Sequence, residues 1–288
     1  MSGPAAAGAH GVRPVEPVFV AGLLRPLSSE LIRLLRGLAS DDWLRPTRAG
    51  DWRVRDVAAH LLDVDCRKLS LHRDAMPLAG DPPRDEGALL ALLNRLNAEW
   101  VAAASRIGPR LLTDLLELTG GQVADYLESL DPFGRARFPV AWAGEAESAH
   151  WFDIGREFTE RWHHQQQIRE AIGAPLLTEA RWLRPAIEVS LRALPHAYRS
   201  AAAAPGTAVV VEIRGASGGA WSLVRNPAGW GLFVGASDQP TACARLDEDT
   251  AWRLLLKAID PELAAGRLEI EGDRGLGSLL LSALAVMA

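Results

Sequence analysis

Around residue 202 the spacing of apolar residues changes from one period to another. Before the run Ala201-Ala202-Ala203-Ala204-Pro205-Gly206, leucines and isoleucines recur three and four positions apart, the period of helices buried on one face. After it come three short runs rich in β-branched and aromatic residues, at 209–213, 221–224 and 230–234, separated by Gly, Asn and Pro. No single core accommodates both patterns, so the chain is expected to form two domains, all-helical and then α+β. Its 288 residues, 48% of them hydrophobic, are enough for two cores.

Residues 1–16 carry Gly, Ala and Pro without periodicity and are expected to be a flexible tail. Residues 17–202 read as an up-and-down helical bundle. A first helix is predicted over 27–38, where Leu31, Ile32, Leu34, Leu35 and Leu38 share a face and Ser28 or Ser29 can cap the start. A second covers 54–75 and is closed by Pro77, Pro82 and Pro83. A third covers 86–107, with Leu89, Leu92, Leu93, Leu96, Trp100 and Val101 on one stripe, and a fourth covers 111–130, with Gly120-Gly121 as a point of denting. The long helix over 149–171 ends at Gly173 and Pro175, and a sixth covers 179–198, interrupted by Pro185 and Pro195. In the α+β domain, 203–288, a strand is predicted over 241–246, a helix from 247 or 249 to 258, an alternating strand over 268–271 and an apolar terminal helix over 276–287.

A net charge of −5 leaves no basic footprint for nucleic acid or an anionic membrane. No apolar run has the length to cross a bilayer, and the first residues lack a charged segment followed by an apolar block. Cys66 and Cys243 fall in separate predicted domains, which argues against a disulfide framework. The expectation is a cytoplasmic protein whose partner is a small-molecule substrate.

The chemistry-bearing stretch is Glu160-Arg161-Trp162-His163-His164 on the long helix. A carboxylate and an imidazole four residues apart lie on one helix face and suit two ligands of one metal ion. His163 is turned about 100° from His164, which makes it a rim or supporting group. His60, at the edge of the apolar face of the second helix, is the candidate third ligand. The same residues allow plainer readings: a solvated Glu–His helix pair worth about 0.3 kcal/mol, and a hydrogen-bonded core histidine. Trp52, Trp151 and Trp162 read as core.

Trp52-Arg53-Val54-Arg55-Asp56-Val57-Ala58-Ala59-His60-Leu61 resembles the tryptophan, charged turn and His-Leu signature of the mycothiol-dependent maleylpyruvate isomerase family, a branch of the DinB-like metal-binding bundles. The run from Glu160 through His164, Ile168, Arg169 and Ala171 to Gly173 resembles that family's second signature. Trp43 and Pro46-Thr47 fall where relatives place a Trp and a Pro-Thr. Trp221, Gly229-Trp230 and residues 268–273 are similar to the small sterol-carrier-like domain often fused behind the bundle. Two departures stand out: Gln167 occupies a position where relatives often carry an aspartate, and Arg53 one where they carry a capping Thr or Ser, leaving Asp51 or Asp56 to cap.

The resemblance implies a DinB-like bundle with a sterol-carrier-like domain behind it, and His60, Glu160 and His164 as ligands of a divalent metal, zinc first. It further implies an isomerase or transferase using mycothiol or another low-molecular-weight thiol on a small electrophile, in a pocket between the domains. Arg274 and Arg156 are the candidate cations for an anionic substrate. A metal-dependent hydrolase and a non-enzymatic small-molecule-binding protein are the alternatives.

Overall fold

In the computed structural model, residues 11–77 and 86–286 are described, and their contacts divide the chain into two units. Residues 1–10 of the expected tail, with His10, lie outside the described residues, as do Pro82, Pro83 and Met287.

The helical unit comprises Phe19–Pro139 and Glu147–Leu177. It contains α1 (Ala21–Arg36), α2 (Val54–Arg67), α3 (Glu86–Ala104), α4 (Pro109–Glu128) and α5 (His150–Ile172). Leu24, Leu27, Leu31, Ile32 and Leu35 form the buried stripe of α1, which starts six residues earlier than expected and runs through Pro26. Ser28 and Ser29 therefore lie inside the helix, and the Ser29 hydroxyl donates to the Arg25 carbonyl. At the start of α2, Asp56 takes the capping part: its carboxylate accepts the Arg53 backbone N–H at 2.9 Å. Beyond Arg67, α2 widens into a π-helical turn, Lys68–Arg73, in which the Asp74 N–H reaches back five residues to the Leu69 carbonyl.

The fourth helix continues undented through Gly120-Gly121. A Cβ at Gly120 would lie 2.5 Å from the Ser28 hydroxyl, so the missing side chain lets α1 and α4 approach closely. Val54, Val57, Ala58, Leu61 and Leu62 of α2 join Leu31 and Leu35 of α1, Leu112 and Leu116 of α4 and Ile168 of α5 in one core. Gly173, with φ 71°, closes α5 in the left-handed conformation.

The sheet unit comprises Thr178–Val286 together with Val140–Ala146 and, before Phe19, residues 11–18. Whereas the sequence reading ends the helical domain at residue 202, by contacts the chain joins the sheet from Thr178. The reason lies in α6 (Ala180–Ser190), which buries Trp182, Leu183, Ala186 and Ile187 and packs against α8 (Glu248–Leu255). The predicted helix over 179–198 is split, with a 3₁₀ turn at Leu191–Ala193 separating α6 from α7 (Leu194–Ala197), the segment that begins just before Pro195.

Among the described residues, six strands form one sheet in the order β1-β4-β3-β2-β5-β6. They are β1 (Arg13–Pro14), β2 (Ala208–Arg214), β3 (Gly219–Asn226), β4 (Gly229–Val234), β5 (Ala242–Asp247) and β6 (Glu269–Gly272). Only β2 and β5 pair in parallel. The first strand corrects the tail expected over 1–16: Arg13 and Pro14 pair antiparallel with Val234 and Phe233. Two further corrections concern helices. An unexpected α9 (Pro261–Arg267) is started by Asp260, whose carboxylate accepts the Glu262 N–H. The terminal helix expected over 276–287 is instead a short α10 (Arg274–Ser278) and a 3₁₀ turn, after which Ala283 is extended. Gly275 and Gly277 weaken that helix, and a Cβ on Gly277 would press to 2.6 Å from Ile270. The fold class is thus the expected one, a helical unit followed by a small α+β unit.

Candidate metal centre

Two antiparallel helices build the site, α2 supplying His60 and α5 supplying Glu160 and His164. Nε2 of His60 and Nε2 of His164 each lie 3.1 Å from the same Glu160 oxygen, Oε1. One ligand atom from each residue lies within 4.8 Å of the others. The two rings stand edge to face, with centroids 4.7 Å apart. Atoms that share a tetrahedral ion at about 2.0–2.1 Å are about 3.3 Å from one another, so the two nitrogen–oxygen separations of 3.1 Å suit a zinc-like ion.

Burial and charge prepare the three groups differently. Burial dominates at His60 and holds its pKa below the ordinary imidazole value, so the ring stays neutral, the form a metal ion requires, and in the metal-free chain its Nε2–H donates to the Glu160 carboxylate. At His164 burial also opposes the charged form, but the Glu160 carboxylate and hydrogen bonds to Glu160 and Gln167 prevail and raise the pKa. Glu160 is held well below the usual carboxylate range: burial works against ionisation, and His164, then His60, overcome it. Its side chain keeps 36% of its surface exposed, so the site is open at the carboxylate.

The two imidazoles are held by different means. Nδ1 of His164 is 2.8 Å from the Gln167 amide oxygen, which accepts its proton and leaves Nε2 as the ligand atom. The Gln167 amide nitrogen lies 3.3 Å from Nε2 of His163, which is buried. His163 is thus a supporting group, as its angular position on the helix implied. Gln167 does in neutral form what a carboxylate does for many metal-bound histidines. Nδ1 of His60 is buried without a hydrogen-bond partner, and its ring is held by packing against Trp52, centroid to centroid 5.0 Å.

The structure does not bring the two candidate arginines into equivalent places. Arg156, on α5, is bound to Asp153 and lies 3.9 Å from Glu157. Arg274 is exposed at the start of α10 in the sheet unit. Of the tryptophans, Trp162 is fully buried and Trp52 and Trp151 are half-buried. Sequence reasoning missed Asp65, Lys68, Asp153, Glu157 and Arg161, a buried charged group directly beside the site. The signal for it was available as Glu157 and Arg161 four apart on α5, with Asp65 interrupting the apolar pattern of α2 and Lys68 following at the first position of the π-helical turn.

A two-histidine, one-carboxylate cluster between two helices of an all-helical unit defines a candidate metal-binding bundle with an open coordination position. The sequence profile of the mycothiol maleylpyruvate isomerase N-terminal domain matches residues 24–169, half of the chain and all three cluster residues. The chain belongs to that family, which is named for an enzyme. Among solved structures, it is similar to the mycothiol-dependent maleylpyruvate isomerase and to a mutant of that protein. In each case the identity is 14% and the TM-score 0.49, over 86% of this chain and 88% of that one. No curated protein matches the sequence.

Proposed function

We propose that the protein is a metal-dependent isomerase or transferase that uses a low-molecular-weight thiol, of the mycothiol type, on a small electrophilic substrate. The observation that carries this reading is the convergence of His60 Nε2 and His164 Nε2 on Glu160 Oε1 at 3.1 Å each. Family membership supports the thiol and the isomerase class.

The residues present fit a divalent ion: two neutral imidazoles and one carboxylate would hold it with one net positive charge and at least one open position, and zinc suits the set. When bound, such an ion supplies thiol activation, by favouring the thiolate at neutral pH. The chain's own contribution is preparation. Burial keeps His60 unprotonated, and Gln167 points the His164 lone pair inward. Glu160, partly exposed, remains ionised at the mouth. Arg274 and Arg156 are the cations assigned to an anionic substrate group. For Arg156 that role requires sharing its guanidinium with Asp153.

Metal analysis tests the reading directly. Wild-type protein should carry close to one divalent ion per chain, and His60→Ala, Glu160→Ala and His164→Ala should each lose most of it. Turnover of a small electrophile should require added thiol and stop with a chelator. Full metal retention by the variants removes the site, and turnover without thiol removes the thiol in favour of a hydrolase.

A further inference from the structure

Beside the histidine–carboxylate cluster, the same two helices share a second set of contacts that metal binding does not use. Arg161, next in sequence to Glu160, is bound to Asp65 of α2, and its guanidinium also lies 3.3 Å from Glu157. Asp65 accepts a further hydrogen bond from the Thr119 hydroxyl of α4 at 2.6 Å. One turn further, Lys68 places its ammonium 3.1 Å from Asp153 and 3.0 Å from Glu157, both on α5. Lys68 and Asp65 are almost wholly enclosed, at 2% and 1% exposure of their side chains. With Arg156 on Asp153, three cations face three carboxylates, so the enclosed group is charge-balanced.

Burying six charges is a poor way to gain stability, because desolvation offsets most of the attraction. What such pairs provide is direction. Apolar contacts between helices are non-directional and tolerate sliding, whereas a hydrogen-bonded ion pair is satisfied in one geometry. Sliding one helix by one residue moves its side chains about 1.5 Å along the axis. Metal ligands tolerate only about 0.2 Å. His60 comes from α2, and Glu160 and His164 from α5, so their meeting depends on how far α2 is slid along α5. The ion pairs connect those two helices immediately beside the meeting point.

We propose that Asp65–Arg161 and Lys68–Asp153/Glu157 form a register lock, and that these positioning residues set the axial alignment of α2 on α5 that brings His60 to Glu160 and His164. The functional consequence rests on the metal reading given above, whereas the alignment itself belongs to the metal-free chain. A structural contribution alone would be restored by apolar packing. An alignment role would not.

The test replaces the pair by apolar groups, Asp65→Leu together with Arg161→Met, in the full chain. This variant should unfold cooperatively at a temperature close to wild type, since such replacements of buried pairs are often neutral or stabilising. Two readouts should nevertheless change. In the metal-free protein, long-range ¹⁵N–¹H spectra of the imidazoles should lose the hydrogen-bonded Nε2 signals of His60 and His164. Cobalt(II) titration should show a Kd raised at least tenfold, with an altered visible spectrum. Unchanged imidazole spectra and a Kd within twofold of wild type would overturn the lock. Should the double variant not fold, Lys68→Met is read by the same two measurements. Failure of both variants to fold would make the network a stability element and also overturn the proposal. A wild-type chain that takes up no cobalt would defeat the metal reading alone, because the imidazole spectra still judge the alignment.

Discussion

Gln167 shows how much one neutral side chain does for this site. By accepting the His164 Nδ1 proton it fixes the tautomer and the ring angle together. Under the proposed metal reading, removing the acceptor while keeping the volume, in Gln167→Leu, is expected to weaken binding of a divalent ion by about 10- to 100-fold. Gln167→Glu, which keeps an acceptor, should bind within a few-fold of wild type, and competition titration with a chromophoric chelator would show both. An equal loss in the two variants would mean that the amide acts only by filling space. The three candidate ligands themselves were legible from spacing and from the two short signatures, because i,i+4 geometry on a helix is local. The contact between Gln167 and His164 was less so, since an amide three residues away can point along the helix or out of it. The buried ion pairs were legible only in part: Glu157 and Arg161 stand four apart on α5, but Asp65 and Lys68 come from a distant part of the chain, and helical period alone assigns such residues to the surface.

At the scale of elements, the π-helical turn that ends α2 carries a group whose titration can be followed. His72 sits there half-buried, its ring edge to face with Phe138 at 5.4 Å. Burial, and then the positive charge of Lys68, push its pKa down to about 4 from an ordinary 6.5, with Arg156 adding in the same direction and Asp153 and Glu157 opposing. Between those two pH values the unfolded chain binds a proton that the folded chain refuses. Stability is therefore expected to fall as pH is lowered from 6.5 toward 4. Urea unfolding of metal-free protein at pH 7 and pH 4.5 measures the change, and His72→Gln should lose less stability than wild type over that interval. An identical loss in both proteins would assign the acid sensitivity to other groups. Neither the π turn nor α9 was legible in sequence. The first is a one-residue insertion in hydrogen-bond register with no compositional mark, and the second is only seven residues long. The terminal apolar run read as a helix because its leucines are periodic, but Gly277, where a side chain would press on Ile270, marks a close contact no local pattern shows.

On the scale of the whole molecule, the change of apolar period near residue 202 correctly announced a helical part and a sheet part. It placed the joint at the first strand, whereas contacts place it at Thr178, because α6 has a helix's sequence and a sheet-unit partner. The sheet is also less contiguous than the sequence pattern implies. One of its two edge strands, β1, comes from Arg13 and Pro14 and pairs with Val234 and Phe233 of β4. Deleting residues 1–16 should leave the metal content of the helical unit at the wild-type level. It should also make the protein self-associate, since β4 would then present its unpaired backbone. Light scattering during size-exclusion chromatography reads the second effect, and a monodisperse truncated protein of wild-type mass would count against it.

That pairing also orders events during synthesis. The first strand leaves the ribosome long before its partner exists, and the entire helical unit is made in between. Until Phe233 and Val234 emerge, Arg13 and Pro14 have nothing to hold, so this seam of the sheet can close only after the helical unit has been made. A bulky tag fused ahead of β1 would travel with that waiting segment and obstruct its pairing with β4, while the helices in between would already have had time to assemble.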